Sequence, residues 1–249
     1  VDRGAPAQEI PATAAACGQA LAVLPGDLER HGIDVGRRVP QNFPVLTKTE
    51  MMANFDRIVT DPTITKDKIA DFLERSKNPF DLYENRYYVV STSGTSGEIG
   101  YYVYDMASRT RGVPAALRVR PPSIGRRRLA FLGACEGHGT GVSFAVSTQR
   151  SLTWWAYTVA TYEIDAPLAP TLDSLNAFRP TILTGYANAL GILAEKQLDG
   201  RLNIAPKQVL SSGEPVESTD RELVEQVFGV PLLDLYACSE HFDHGPEPP

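Results

Sequence analysis

Residues 181–236 read TILTGYANALGILAEKQLDGRLNIAPKQVLSSGEPVESTDRELVEQVFGVPLLDLY, and this stretch decides the fold. Thr181 to Thr184 predicts a strand, Tyr186 to Leu198 a helix, Gln208 to Ser211 a second strand and Leu232 to Tyr236 a third. Between the last two, Thr219 and Glu222 have capping-box spacing ahead of Leu223, Val224, Val227 and Phe228, and Gly229 stops the helix. Strands separated by helices of about 10–15 residues are joined by crossovers, so the sheet is mainly parallel. Ligands on such sheets sit beyond the carboxyl ends of the strands. Ser211-Ser212-Gly213-Glu214 and Ala237-Cys238-Ser239-Glu240 both lie at such ends.

Working towards the N-terminus, Thr171 to Phe178 suits a short helix ended by Arg179-Pro180, and Ser151 to Tyr162 fits helix or strand. Arg128 to Gly133 is a short apolar strand, followed by a glycine-rich run through Gly141 that does not read as helical. Tyr87 to Val90 and Tyr101 to Tyr104 are strands around a loop of small residues, a hairpin-like unit. Thr47-Lys48-Thr49-Glu50 has capping-box spacing before a helix carrying Met51, Phe55, Ile58 and Val59 on one side, ended at Asp61-Pro62. A second helix runs from about Thr65 to Ser76, with Ile69, Phe72 and Leu73 inward. Gly32 to Pro44 reads as connecting chain, and Ala12 to Leu24 as a helix ended by Pro25-Gly26. This divides the chain into a helical and connecting region, 1–86, packed on an α/β core, 87–249.

Of the 249 residues, 43% are hydrophobic and 22% charged, an ordinary globular balance. No apolar run reaches the roughly 20 residues that cross a bilayer, and the first residues lack a signal-peptide pattern, so the expected location is cytoplasmic. A net charge of -6 disfavours a phosphate-backbone partner, so nucleic acid is not expected. The arginine clusters (Arg109 with Arg111, Arg118 with Arg120, and Arg126 to Arg128) read best as solvated faces or a local anion site. Cys17, Cys135 and Cys238 are sparse and odd in number, which fits reduced thiols rather than a disulfide framework.

Ser91-Thr92-Ser93-Gly94-Thr95-Ser96-Gly97 is the strongest chemical signal. Two glycines allow a tight turn, successive amides can form an anion nest, and the hydroxyls add donors without fixed charge. That is a sound phosphate cradle; a flexible Ser/Gly surface turn is the alternative. It is not a Walker loop, because the glycine spacing and the Lys-Ser/Thr ending are absent. Glu214 and Glu240 follow strands. A carboxylate beside triphosphate needs a cation between them, and Mg²⁺ prefers such hard oxygen ligands. Tyr236 offers a ring on which a base could stack, and Ser239 a hydroxyl for phosphate.

Two further patterns compete. Gly133-Ala134-Cys135-Glu136-Gly137 has nucleophile-elbow spacing with Cys for Ser, and His138 is nearby; a hydrolase or acyltransferase on Cys135 would need a helix directly after it. Cys238, His241 and His244, with Asp243, have metal-ligand spacing, against which stands an ordinary polar tail. His31 and His138 receive no role.

In order, four segments resemble the adenylate-forming superfamily, specifically the phenylacetate–CoA ligase branch and its capsule-biosynthesis-like relatives. They are Phe43 to Glu50, Ser91 to Gly97, Phe178 to Tyr186 with Ser211 to Pro215, and Asp234 to Glu240. The resemblance covers about Pro40 to Glu240 and implies the large N-terminal domain of such an enzyme. It implies ATP and Mg²⁺, attack of a small and perhaps aromatic carboxylic acid on the α-phosphorus with release of pyrophosphate, then transfer to coenzyme A. By matching motif, Ser93, Gly94, Thr95, Ser96 and Gly97 would hold the β- and γ-phosphates. Ser212, Gly213, Glu214 and Pro215 would line the adenine side, with Tyr236 against adenine. Ser239 would approach the α-phosphate and Glu240 would bind Mg²⁺, making Thr95, Ser239 and Glu240 the catalytic candidates. Gly133 to Gly141 would shape the acyl pocket. Phe131, Phe144, Trp154, Trp155 and Tyr157 are candidates for an aryl lining, although large aromatics commonly fill cores.

The sequence departs from the family pattern at Glu98-Ile99, where Lys-Pro is usual, and at Ala237, where Gly is usual. The family's later ribose-binding Asp, the Arg after it and the C-terminal domain with a catalytic Lys have no counterpart after Glu240. The expectation is therefore a fragment or a reduced relative, with a non-enzymatic nucleotide- or acyl-binding module as the alternative. Homo-oligomerisation is left open.

Overall fold

The structure is a computed structural model that describes residues 47–94, 97–111, 125–150, 154–235 and 238–240. The described residues open with three short helices: α1 (Lys48–Ala53), α2 (Phe55–Ile58) and α3 (Lys66–Arg75). An antiparallel hairpin follows, β1 (Tyr88–Ser91) with β2 (Tyr101–Tyr104), then α4 (Met106–Arg111). The core continues with β3 (Arg127–Gly133), α5 (Thr140–Ser147), β4 (Tyr157–Glu163), α6 (Leu168–Phe178) and β5 (Ile182–Gly185). It ends with α7 (Ala187–Leu198), β6 (Gln208–Ser212), α8 (Ser218–Phe228) and β7 (Leu232–Leu235).

The five core strands form one parallel sheet in the order β4-β3-β5-β6-β7. This is the mixed α/β architecture expected from residues 181–236. The chain steps from β3 outward to β4, then returns across β3 to β5 and proceeds the other way. The winding therefore reverses between β3 and β5, and a crevice opens at their carboxyl ends. There the backbones are very close. A methyl group on Gly185 would stand 2.3 Å from the Leu132 carbonyl oxygen, so only glycine fits.

Alternation along the strands separates the two sheet faces. Ala130, Leu132, Leu183 and Val209 pack against Leu172 and Leu175 of α6, Leu190 and Leu193 of α7, and Val224 of α8. Leu129, Phe131, Ile182 and Leu210 point the other way, against Val142, Ala145 and Val146 of α5. Fully buried leucines such as Leu183, Leu190 and Leu210 each contribute about 1.5–3 kcal/mol relative to exposure. A third cluster joins the first helices to the hairpin through Met52, Phe55, Ile69, Tyr83 and Val89. Tyr87 reinforces that junction by donating to Asp61 Oδ2 at 2.6 Å. This bond is the main reason the Asp61 carboxyl is held down at about 2.

The capping box at Thr47 forms as read: Glu50 N donates to Thr47 Oγ1 and Thr47 N to Glu50 Oε2. The single helix expected beyond it is broken at Asn54, which ends α1 and precedes α2. Two further readings are corrected. The box at Thr219 and Glu222 does not form, because α8 starts two residues earlier than such a box requires, at Ser218 behind Glu217. The run after Gly137 does contain a helix, α5. Its glycines and hydroxyl residues have poor helix propensity, and packing of its apolar side chains on β3 outweighs that. The ambiguous stretch from Ser151 resolves, where described, into a short 3-10 turn at Trp154–Ala156 and strand β4. Arg179 and Gly229 end their helices in left-handed conformations at φ 51° and 68°. No helix among the described residues is long and apolar enough to cross a membrane.

Candidate active site

A cavity of about 850 Å³ opens at the β3/β5 reversal. The sheet forms its floor, α5 one wall, and α3 with the hairpin the opposite wall. Of the candidate residues, Ser93, Ser212, Gly213, Ser239 and Glu240 line it. Gly94, Gly97, Glu214 and Pro215 do not border it. Thr95, Ser96, Tyr236, Ala237, His241, Asp243 and His244 lie outside the described residues, as does the expected helix at Ala12 to Leu24.

The loop after β1 is drawn into a closed turn. Thr92 N donates to the Gly100 carbonyl at 3.0 Å and Gly100 N to Thr92 Oγ1 at 2.8 Å. Gly97 N donates to the Gly94 carbonyl at 2.8 Å, with Gly94 and Gly97 at φ of 72° and 95°, where glycine carries no steric penalty. The loop is attached to the core through Ser91, whose amide donates to the His138 carbonyl at 2.9 Å, and Ser91 is bridged to Gly139. The segment that begins α5 thus also anchors the loop. Glu98, where the resemblance expects Lys, turns to the first helices. Its carbonyl accepts from Lys48 Nζ at 3.1 Å and its carboxylate lies 3.7 Å from Lys66 Nζ.

Residues 238–240 are held from two sides. Tyr102 donates to Glu240 Oε1 at 2.8 Å and Tyr104 donates to the Ser239 carbonyl. Thr140 Oγ1, in the first turn of α5, is 2.6 Å from Ser239 Oγ. Burial foremost raises both tyrosine pKa values, so these rings remain neutral donors. Sequence reasoning missed Tyr102, Tyr104 and Thr140. Period-two alternation does place both tyrosines on one face of β2, but their partner is 135 or more residues away.

Glu214 also makes a structural contact. Its Oε1 accepts from Asn188 N at 2.7 Å, so it caps the start of α7 and fixes the turn that presents Gly213. Tyr186, just ahead of α7, lines the cavity, and a methyl group on Gly213 would lie 3.1 Å from its ring.

The geometry does not support a Cys135 nucleophile. The thiol donates back to the Gly133 carbonyl, and burial with the nearby Glu163 charge raises it to about 11. His138 Nε2 is instead 3.0 Å from Ser76 Oγ, which donates to Asp81 Oδ2 at 2.7 Å. A thiol held protonated is neither a nucleophile nor a thiolate ligand. Phe131 and Phe144 line the cavity, whereas Tyr157 is buried elsewhere and Trp155 is 66% exposed. Among the described residues, no three His, Cys, Asp or Glu side chains converge as a metal-binding group.

The architecture, a parallel five-stranded sheet flanked by helices, is shared with solved structures of an acyl-CoA ligase. Among solved structures, the chain is similar to 2-hydroxyisobutyryl-CoA ligase in an open conformation in complex with 2-HIB-AMP and CoA. The TM-score is 0.64 at 18% identity, over 93% of this chain and 54% of that one. The same ligase in the postadenylation state with 2-HIB-AMP gives a TM-score of 0.62 at 17% identity, over 99% and 56%. At these identities the likeness is one of fold, and the chain spans about half the length of the ligase. No protein-family model matches the chain, and no curated protein sequence does.

Proposed function

We propose that this chain is the nucleotide- and acyl-binding part of an enzyme that activates a carboxylic acid with ATP. The acyl-adenylate would then pass its acyl group to coenzyme A, as in the phenylacetate–CoA ligase branch. One observation carries the reading. Three segments far apart in sequence, ending at Ser93, Gly213 and Glu240, meet around one cavity at the reversal of the sheet.

In this reading the loop from Ser93 to Gly97 holds the terminal phosphates through amides and hydroxyls. Ser212 and Gly213 border the base, Tyr236 packs on it, and Glu214 and Pro215 act one step back by shaping the turn. Ser239 faces the α-phosphate. The Glu240 carboxylate and the paired Ser239 and Thr140 hydroxyls supply the hard oxygen donors that suit Mg²⁺, which usually takes one or two carboxylates and completes its shell with phosphate and water. When bound, the ion supplies charge neutralisation on the phosphates. This chain's own contribution is positioning: two anions are held together in a partly enclosed site, with fixed donors aimed at the transferring group. No covalent enzyme intermediate is needed.

The test is acid-dependent exchange of labelled pyrophosphate into ATP by the full-length protein, lost in Glu240→Ala. No exchange with any acid of a broad panel, in a folded protein that still binds ATP by calorimetry, would leave a binding module and defeat the enzyme reading. Coenzyme A consumption after exchange is established checks the acceptor.

A further inference from the structure

Resting on that reading, we infer that Tyr102 is a positioning residue that sets which metal ion Glu240 accepts, favouring Mg²⁺ over Ca²⁺. The two ions ask different things of a carboxylate. Ca²⁺ tolerates both oxygens of one carboxylate in a flexible shell at about 2.3–2.6 Å, whereas Mg²⁺ demands a near-ideal octahedron at about 2.0–2.1 Å. The narrow bite of a chelating carboxylate does not fit that octahedron, so Mg²⁺ is served by a single oxygen. Glu240 is arranged to offer one. Its Oε1 accepts the Tyr102 hydroxyl at 2.8 Å, and among the described residues nothing bonds Oε2. The backbone beside it is held as well, because Tyr104 donates to the Ser239 carbonyl and Ser239 Oγ is 2.6 Å from Thr140 Oγ1. To present both oxygens, Glu240 would have to give up a charge-assisted bond, which is the stronger kind.

The phenol is itself seated by the loop. A methyl group on Gly100 would lie 2.7 Å from the Tyr102 hydroxyl oxygen and 3.0 Å from Cε2. Gly100 is not among the glycines at positive φ, so the site uses its small size and not its conformational freedom. Gly100 also closes the neck of the Ser/Gly loop through its two bonds with Thr92. Tyr102 thus stands between that neck and the strand-end acid. Its own side chain is buried, while Glu240 is exposed and borders the cavity.

Calorimetry of ATP binding to the full-length protein in Mg²⁺, in Ca²⁺ and in EDTA tests this. The wild type should bind ATP more tightly with Mg²⁺ than with Ca²⁺. Tyr102→Phe should weaken Mg²⁺-supported binding by about 10-fold, the scale of one hydrogen bond to a charged group, and leave Ca²⁺-supported binding unchanged or tighter. Comparing each variant with the wild type cancels the ions' own affinities for ATP. Gly100→Ala keeps the hydroxyl but crowds it, and should narrow the preference in the same direction; it serves in place of Tyr102→Phe should that variant not fold. Tyr87→Phe removes a similar bond, to Asp61, from residues that do not border the cavity, and should leave the preference intact. Equal support by the two ions in the wild type, an unchanged ratio in the folded variants, or the same collapse in Tyr87→Phe overturns the inference and leaves adenylation standing. Wild-type binding that EDTA does not weaken removes the metal from Glu240 and the inference with it, while acid-dependent pyrophosphate exchange still decides the adenylation reading.

Discussion

The two faces of the five-stranded sheet share the same strands and are covered very differently. On one face, α6, α7 and α8 build a cluster of fifteen buried hydrophobic residues among those described. On the other, α5 builds a cluster of eight, and the remaining sheet surface becomes the floor of the cavity. The first face is where burial free energy accumulates; the second leaves apolar surface for a ligand to cover. Packed core and open surface are thus divided between the two faces of one sheet, and substitutions should separate them.

The largest effect belongs to the thick face. Leu190→Ala should cost about 2–5 kcal/mol of unfolding free energy by urea titration, because Leu190 is fully buried. A loss below about 1 kcal/mol would mean that α7 is loosely packed. Gly185→Ala, at the seam between β3 and β5, should cost about 3 kcal/mol, since the new methyl meets backbone that cannot move aside. On the thin face, Tyr102→Phe should cost only about 1 kcal/mol of stability. It should nevertheless weaken magnesium-dependent ATP binding by calorimetry through loss of the donor on Glu240. Unaltered binding would break the link between the hairpin and the site.

The smallest expected effect is a pH dependence. Burial lowers the His138 pKa, opposed by a backbone bond at Val89 and the Asp81 charge, with Lys77 reinforcing the shift. A depressed histidine takes up its proton more readily unfolded, so its contribution is intact above the ordinary value of about 6.5 and declines as pH falls below it. Urea midpoints at about pH 7.5 and 5.5 should therefore differ more in the wild type than in His138→Gln. Asp61, held at about 2, loses its contribution only at lower pH and does not confuse that comparison.

The same division explains what could be read from sequence. The βαβ succession was legible because each element there is long enough to show its period, and β5, β6 and β7 fall within about a residue of where residues 181–236 place them. Helix α5 was not legible. Gly139, Gly141 and its hydroxyl residues give no local helical signal, and the helix depends on packing that the sequence does not display. The loop and the strand-end carboxylates were recognisable as chemistry-bearing, since small residues and isolated acids at strand ends are locally visible. The cap that Glu214 makes was not legible, because its partner is an amide in the first turn of α7, 26 residues away. The tyrosine pair on residues 239 and 240 requires a fold before it has any meaning.

The bridge between Ser91 and the His138–Gly139 backbone carries one more consequence. It is a single strut with the glycine-rich loop at one end and the opening turn of α5 at the other. A shift of the loop must drag that turn, and with it Thr140 and Gly141, or break the amide bond at Ser91. The start of the loop at Ser91 and the turn that opens α5 therefore share one backbone anchor.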